Sequence, residues 1–472
     1  MTTQTIRTYR LCVEPGQAHL VDALLAAQGF EFEPEPFYPL ARRLVREPFA
    51  LGASVAASFG LIYIQDRSSM LPPVLLGAPD GAVCLDMCAS PGGKTGILSQ
   101  MAGPEGFVLA CEPSHDRLAT LRQNLRRMNA LNTATAGVES QKLGLAAGVF
   151  SRILLDPPCS GWGTVDKNPK VLELWTPEKA EALVKLQREL LARAAELLAP
   201  GGELVFSTCT TNVRENEDQA AWARDFLGLE PVALAAVEGF QAVEPARADT
   251  PGVLRVGEQR GQAQQGGGQG FFLARFRKPE DAVRSAQAEA AIGAERDYSV
   301  SRDLGGRELA EGELLEAAPL DLSALPQGEV REFGGKAFFL HRAALALGLS
   351  ESGLRWQGFL LGTTSGGRDA VEAKGRRGAK PQKPAKAARP QAAPLKLDPR
   401  LRSLLPPAEA LAPARRLDVE DVAPLLDLLA GRSLGAADSG GDDPRGLCGL
   451  YFRGLPLGWL TRKGRRLLWS DR

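Results

Sequence analysis

Four apolar runs, AVCLDMCA, GFVLACEP, RILLDPP and GGELVFSTCT, alternate with two stretches whose apolar residues recur at helical spacing, SHDRLATLRQNLRRMNAL and TPEKAEALVKLQRELLARAAELLAP. Continuous short apolar runs between helical stretches predict strands buried on both faces. Thr176 before Pro177 predicts a helix start, and Gly201 with Gly202 a helix stop. The alternation implies a parallel sheet with right-handed crossovers, hence a doubly wound α/β domain reaching about residue 280, with QGFFLARFRK as its last strand. Ahead of it, HLVDALLAAQGF is helical in pattern. An extended, Pro-containing stretch and the basic cluster Arg42, Arg43 and Arg46 complete a small leading module. Short strands and a helix follow over about 295–365, including EVREFGGKAFFLHRAALALGL. Lys374 to Arg402 then holds ten Lys or Arg against one acid, Asp398, with almost nothing to bury, which predicts a disordered basic linker. The last 70 residues return to globular patterning and end in GLYFRGLPLGWLTRKGRRLLW, strand-like, aromatic and basic. The expected boundaries are 1–78, 79–282, 295–365, 366–396 and 397–472.

A length of 472 residues, 44% hydrophobic and 24% charged, allows about three domains and excludes whole-chain disorder. Because 56 basic residues balance 56 acidic ones, a polyanionic partner must be met by local patches. No stretch approaches 18 apolar residues and the opening lacks a signal-peptide core, so a soluble, cytoplasmic protein without membrane contact is expected; a monomer is the expected state. Seven scattered cysteines, none in CxxC spacing, suit free thiols in a reducing compartment. With three histidines in the chain, no metal site is expected.

Candidate chemistry sits at the ends of the strand runs. The turn CASPGGKT, Cys88 to Thr95, joins a strand to a helix and lets backbone N–H groups approach a ligand. It is not a triphosphate loop, because Cys88 stands where that loop needs glycine. Read alone, a tight turn without a ligand is the alternative. Glu112, about twenty residues on, ends the second strand where such folds place a carboxylate for a ribose diol. The fourth strand ends in Asp156 and Cys159, the fifth in Cys209, so two thiols and a carboxylate should converge in one crevice. Cys84 and Cys111, inside apolar runs, read as core. A thiol there suits methylation at carbon 5 of a pyrimidine. That carbon becomes nucleophilic when a thiolate adds to carbon 6 and an acid near ring N3 stabilises the developing charge.

DMCASPGGKT, Glu112, LLDPPCSG and STCT, in this order and spacing, resemble the signature of the RNA cytosine-C5 methyltransferases, the Sun or NSUN group. GLIYIQDRSSMLPP resembles that family's lead into its catalytic domain. The tail, with PLGWLTRKGRRLLW, resembles the PUA-like RNA-binding end of the family's branch acting on small-subunit ribosomal RNA. The resemblance implies a seven-stranded, Rossmann-like class I S-adenosylmethionine-dependent methyltransferase domain, with an RNA-contacting N-terminal module and a PUA-like α+β C-terminal region. It also implies site roles. Cys88, Ala89, Ser90, Pro91, Gly92, Gly93 and Lys94 would wrap S-adenosylmethionine, Glu112 would hold its ribose, and Asp156 would stand between cofactor and cytosine. Cys209 would be the nucleophile and Cys159 would assist product release. Glu139 stands where the family carries an aspartate for the adenine amine, and Ser90 where it carries alanine. The implied substrate is RNA, 16S ribosomal RNA first and transfer RNA second. A non-catalytic ribosome-assembly factor of the same fold is the rival reading, which the pair Cys159 and Cys209 disfavours, since binding alone needs neither thiol.

Overall fold

The computed structural model describes residues 7–165, 168–247, 249–258, 271–281, 305–364, 395–435 and 445–470. The chain divides into two compact units, Met1–Val300 with Ala343–Gln357, and Ser301–Arg342 with Gly358–Arg472. The two accessory regions expected at 295–365 and 397–472 thus share one unit, apart from the segment 343–357.

In the first unit, β1 (Thr8–Leu11), β2 (Glu31–Pro34), β3 (Ala41–Arg46) and β4 (Ile62–Ile64) form an antiparallel sheet in the order β2-β3-β1-β4, with α1 (Ala18–Ala26) between β1 and β2. The basic cluster lies on β3 and is matched by acids: Arg42 pairs with Asp22 at 2.9 Å, Arg46 with Glu31 at 3.1 Å, and Arg43 with Glu33. Acids on β2 and α1 therefore compensate the charge of this cluster. Arg10 on β1 is wholly buried against α2 (Gly93–Met101). Its guanidinium bonds Gln100 and reaches Met128 Sδ at 2.7 Å, and a Cβ at Gly96 would fall 2.1 Å from its Nη2. Only glycine at position 96 leaves room for this tie.

The main sheet comprises β5 (Val83–Asp86), β6 (Phe107–Cys111), β7 (Thr133–Ala136), β8 (Phe150–Leu155), β9 (Leu198–Thr208), β10 (Glu230–Pro231), β11 (Phe240–Val243), β12 (Val253–Glu258) and β13 (Phe271–Arg277). Its order is β11-β12-β13-β9-β8-β5-β6-β7, with β10 also on β13; β5 to β9 pair in parallel and β13 lies antiparallel to β9. The apolar runs are continuous because both faces are covered. Leu85, Leu109, Ile153 and Phe206 enter one core cluster, and their neighbours Cys84, Val108, Leu154 and Val205 enter another. Each such side chain contributes about 1.5–3 kcal/mol on burial. The crossovers include α2, α3 (His115–Met128), α4 (Pro177–Leu197) and α5 (Glu217–Leu227).

Two expectations need correction. Among the described residues the sheet has ten strands, not seven, because β10, β11 and a short strand at Trp356–Gln357 add to it; the last pairs antiparallel with β7. The Gly201–Gly202 pair does not stop the helix. α4 ends at Leu197 and β9 begins at Leu198, while Gly201, at φ 71°, shapes a bulge where the register with β8 shifts. Thr176 does cap α4, its side chain accepting from Lys179 N.

In the second unit, one five-stranded sheet includes Gly328–Phe333, Lys336–His341 and Phe359–Thr364, and another includes the meander Arg445–Phe452, Leu455–Lys463 and Arg466–Leu468. Trp459 is buried in the latter and donates to Leu401 O at 2.9 Å. Lys463, Arg465 and Arg466 are exposed at its last turn. Most of the linker expected at 366–396 lies outside the described residues, which resume at 395. Among the described residues, no helix is long and apolar enough to cross a membrane.

Candidate active site

The carboxyl ends of β5, β6, β8 and β9 carry the predicted residues. β5 ends in Asp86, and the following turn runs through Cys88 to Gly92 into α2. Gly92 sits at φ 106°, where a Cβ would lie 3.0 Å from Leu121 Cδ1, so the turn excludes a side chain on both conformational and steric grounds. Side chains and backbone of α3 hold the turn from outside. Ser90 Oγ donates to Arg117 O at 3.0 Å, Arg117 Nη2 to Ser90 O at 3.2 Å, and Asn124 Nδ2 to Pro91 O at 2.8 Å. Ala89 N donates to Cys111 O at 3.0 Å. Asp86 is buried beneath, accepting from Thr95 Oγ1 at 2.7 Å; burial raises its pKa to about 6.

Glu112, directly after β6, is 2% exposed; one oxygen accepts from Ser114 N at 2.9 Å and the other lies 3.3 Å from Arg117. Glu139 is exposed after β7 and pairs with Lys142 at 2.6 Å within its own turn. The structure thus leaves Glu139 on the surface while Glu112 is enclosed.

At the other half of the edge, Asp156 accepts from Lys94 Nζ at 2.7 Å and from Ser207 Oγ at 2.7 Å. Burial alone would lower the pKa of Lys94, but the Asp156 carboxylate outweighs it, so the ammonium is retained. Cys159 and Cys209 come together, Sγ to Sγ 3.3 Å. The contact with Cys159 lowers the pKa of Cys209, with a smaller contribution from Lys94, while the same contact holds Cys159 well above the ordinary thiol range. The two thiols thus differ in direction, Cys209 releasing its proton more readily than Cys159. Burial pushes Cys84 and Cys111 up to about 12, in keeping with core roles.

The sequence reading did not single out Thr95, Ser207, Ser160, Gln187 or Glu215, which support these groups. Of these, Glu215 lies in the acid and amide run TNVRENE directly after STCT, which reads equally well as a solvated surface.

A parallel sheet with an antiparallel last inner strand, a glycine turn after its first strand and an acid after its second defines a Rossmann-like methyltransferase. Residues 73–277 match the model of the family described as 16S rRNA methyltransferase RsmB/F. Ribosomal RNA small subunit methyltransferase F of Salmonella paratyphi A is 38% identical over 263 residues, 54% of this chain and 53% of that protein. The enzyme of the same description from Shewanella amazonensis is 34% identical over 267 residues, 56% of each. A crystallised methyltransferase homologue from Pyrococcus horikoshii is 31% identical, with a TM-score of 0.50, covering 58% of this chain and 87% of that one. The chain belongs to the RsmB/F family of S-adenosylmethionine-dependent methyltransferases, and it spans about half the length of the curated relatives it matches.

Proposed function

We infer that this chain methylates carbon 5 of cytosine in RNA, with small-subunit ribosomal RNA as substrate, through a covalent bond from Cys209 to cytosine carbon 6. The observation that carries this reading is the contact of two thiols, 3.3 Å apart, beside the Lys94–Asp156 pair.

The donor set fits S-adenosylmethionine. Glu112 offers a buried carboxylate to a ribose diol at the end of β6, and the turn Cys88–Gly93 opens α2 with backbone N–H groups toward an anionic terminus. Bound there, the cofactor supplies an activated methyl group. Glu139 would reach the adenine from the surface turn after β7.

Cys209 adds to ring carbon 6, and the negative charge that spreads to N3 is neutralised by a proton passed from the Lys94 ammonium through the Asp156 carboxyl. Carbon 5 then carries the electron density that takes the methyl group. After transfer, the carbon 5 proton must leave and the Cys209–carbon 6 bond must break. The carbon 5 proton passes to a base, water included, as Cys209 leaves as thiolate, and the contact of Cys159 with Cys209 Sγ supports a role for Cys159 in that elimination. The thiol neighbour distinguishes this site from one for exocyclic amino methylation, which would place an aromatic residue at position 159.

A flipped-out target costs a few kcal/mol of lost stacking, which contacts elsewhere on the RNA offset. Lys463, Arg465 and Arg466 at the exposed turn of the last sheet are the described cations suited to phosphate, together with Arg462. Neutralising Lys463, Arg465 and Arg466 should reduce the salt slope of RNA affinity by roughly one for each phosphate no longer neutralised.

The deciding experiment supplies methyl-labelled S-adenosylmethionine and 16S RNA, then digests the RNA to nucleosides. Label in 5-methylcytidine, together with a denaturant-stable adduct on RNA carrying 5-fluorocytosine, supports the reading. Label in another nucleoside, or an adduct that persists in Cys209→Ala, overturns it. Transfer RNA in place of 16S RNA separates the two substrate classes.

A further inference from the structure

The turns bearing the two thiols belong to neighbouring strands, and the 3.3 Å contact between Cys159 and Cys209 has no covalent tie behind it. What holds them is a side-chain network centred on Glu215, which is fully buried. Its Oε1 accepts from Ser160 Oγ at 2.6 Å and Asn212 Nδ2 at 2.9 Å; its Oε2 accepts from Ser160 N at 3.0 Å and Gln187 Nε2 at 3.0 Å. All four donors are neutral, so the carboxylate is held by directed hydrogen bonds, each demanding a defined geometry.

The network brackets both thiols. On the Cys159 side, Pro158 O accepts from Gln187 Nε2 at 3.0 Å and Ser160 is doubly bound by Glu215. On the Cys209 side, Thr208 Oγ1 donates to Asn216 Oδ1 at 2.5 Å, and Thr210 O accepts from Asn216 Nδ2 at 2.9 Å. A contact between Ser160 Oγ and Thr210 Oγ1, 2.7 Å, joins the two turns. The residues before and after each thiol are therefore all anchored to Glu215, Asn216 or Gln187.

We propose that Glu215 is a positioning residue that locks the Pro158–Ser160 and Thr208–Thr210 turns together, so that the Cys159 and Cys209 thiols keep their 3.3 Å contact. The proposal rests on the reading of Cys209 as nucleophile, and it deepens that reading by assigning the source of the thiol geometry. Glu215 touches neither thiol and acts through the turns.

Glu215→Gln tests this at nearly constant volume. An amide presents one acceptor oxygen and turns an NH2 group toward two of the four donors, so two bonds are lost. The readout is alkylation of Cys209 by iodoacetamide against pH, mapped by peptide mass, with neither RNA nor cofactor present. The expected result is a Cys209 profile moved toward an ordinary thiol, with alkylation near pH 7 about tenfold slower. Methyl transfer should show a kcat at least about tenfold lower, with the KM for RNA and the S-adenosylmethionine affinity unchanged. A folded Glu215→Gln protein with an unchanged alkylation profile overturns the proposal, even where melting temperature and activity both fall, because such a result marks a purely structural residue. If Glu215→Gln does not fold, Ser160→Ala carries the same test; it removes the Oγ bonds alone and should move the profile in the same direction by less. An unmoved profile there overturns the proposal equally. A moved profile in a protein whose wild type makes no 5-methylcytidine leaves the lock standing and removes the function.

Discussion

The two halves of the strand-end edge are built by different means. Around β5 and β6 the structure relies on backbone: a left-handed glycine, a turn held by main-chain oxygens, and a single enclosed carboxylate, Glu112. Around β8 and β9 it relies on side chains, with Asp156, Cys159 and Cys209 set among Lys94, Ser207, Thr210, Glu215 and Asn216. A cofactor that must be bound and released needs space and N–H donors. A bond that must form and break at one carbon needs thiols held within tenths of an ångström. The contrast teaches where each kind of substitution should act.

The largest effect is expected from Cys209→Ala, which should abolish methyl transfer, by about 10⁴-fold or more, while cofactor affinity measured by calorimetry stays near wild type. Near-normal turnover would remove Cys209 as nucleophile. Its neighbour should behave differently: Cys159→Ala should let a covalent protein–RNA adduct accumulate on denaturing gels, and normal product formation without adduct would remove the release role. On the other half, Gly92→Val should weaken S-adenosylmethionine binding by about 10–100-fold, since both φ and the Leu121 contact oppose a side chain. Circular dichroism must first show a folded protein, and Cys209 alkylation should be unaffected. Loss of thiol reactivity in that variant would mean that the halves are not separable.

Smaller effects follow from protonation. Because Cys209 is held below the usual thiol range, its thiolate persists to lower pH, and its alkylation should remain fast where an ordinary thiol has slowed; Cys159 should show the reverse. A common midpoint for both would show that they are not differentiated. Asp86 gives the mildest effect. It titrates at about 6 when folded, against roughly 4 unfolded, so between these values the folded state binds the extra proton and stability falls as pH rises through that window. Asp86→Asn should flatten that slope, worth on the order of 2 kcal/mol, as read from urea midpoints between about pH 4 and 6.5.

The inner strands were legible because a sheet covered on both faces writes itself as unbroken apolar runs, and the site residues were legible because they stand where those runs end. Glu112, Asp156, Cys159 and Cys209 all lie at such ends. The support around them was not. Glu215, Asn216 and Gln187 are polar residues in polar stretches, and nothing in their spacing separates a buried network from a solvated surface. The pairing of Arg42, Arg43 and Arg46 was hidden for a related reason, since their acidic partners on β2 and α1 come from other elements of the module. The strand at Trp356–Gln357 is two residues long and pairs with one more than two hundred positions earlier, beyond the reach of any local pattern.

That late strand has a consequence for synthesis on the ribosome. β7 emerges early, yet the partner that covers its outer edge follows about 220 residues later, roughly 10–40 s at ordinary elongation rates. During that interval a nascent chain carries an unpaired strand edge, the kind of surface that recruits another strand. A stop codon placed after residue 300 would make the exposure permanent, so a shortened catalytic unit should be recovered in good yield only when 343–357 is spliced back onto it.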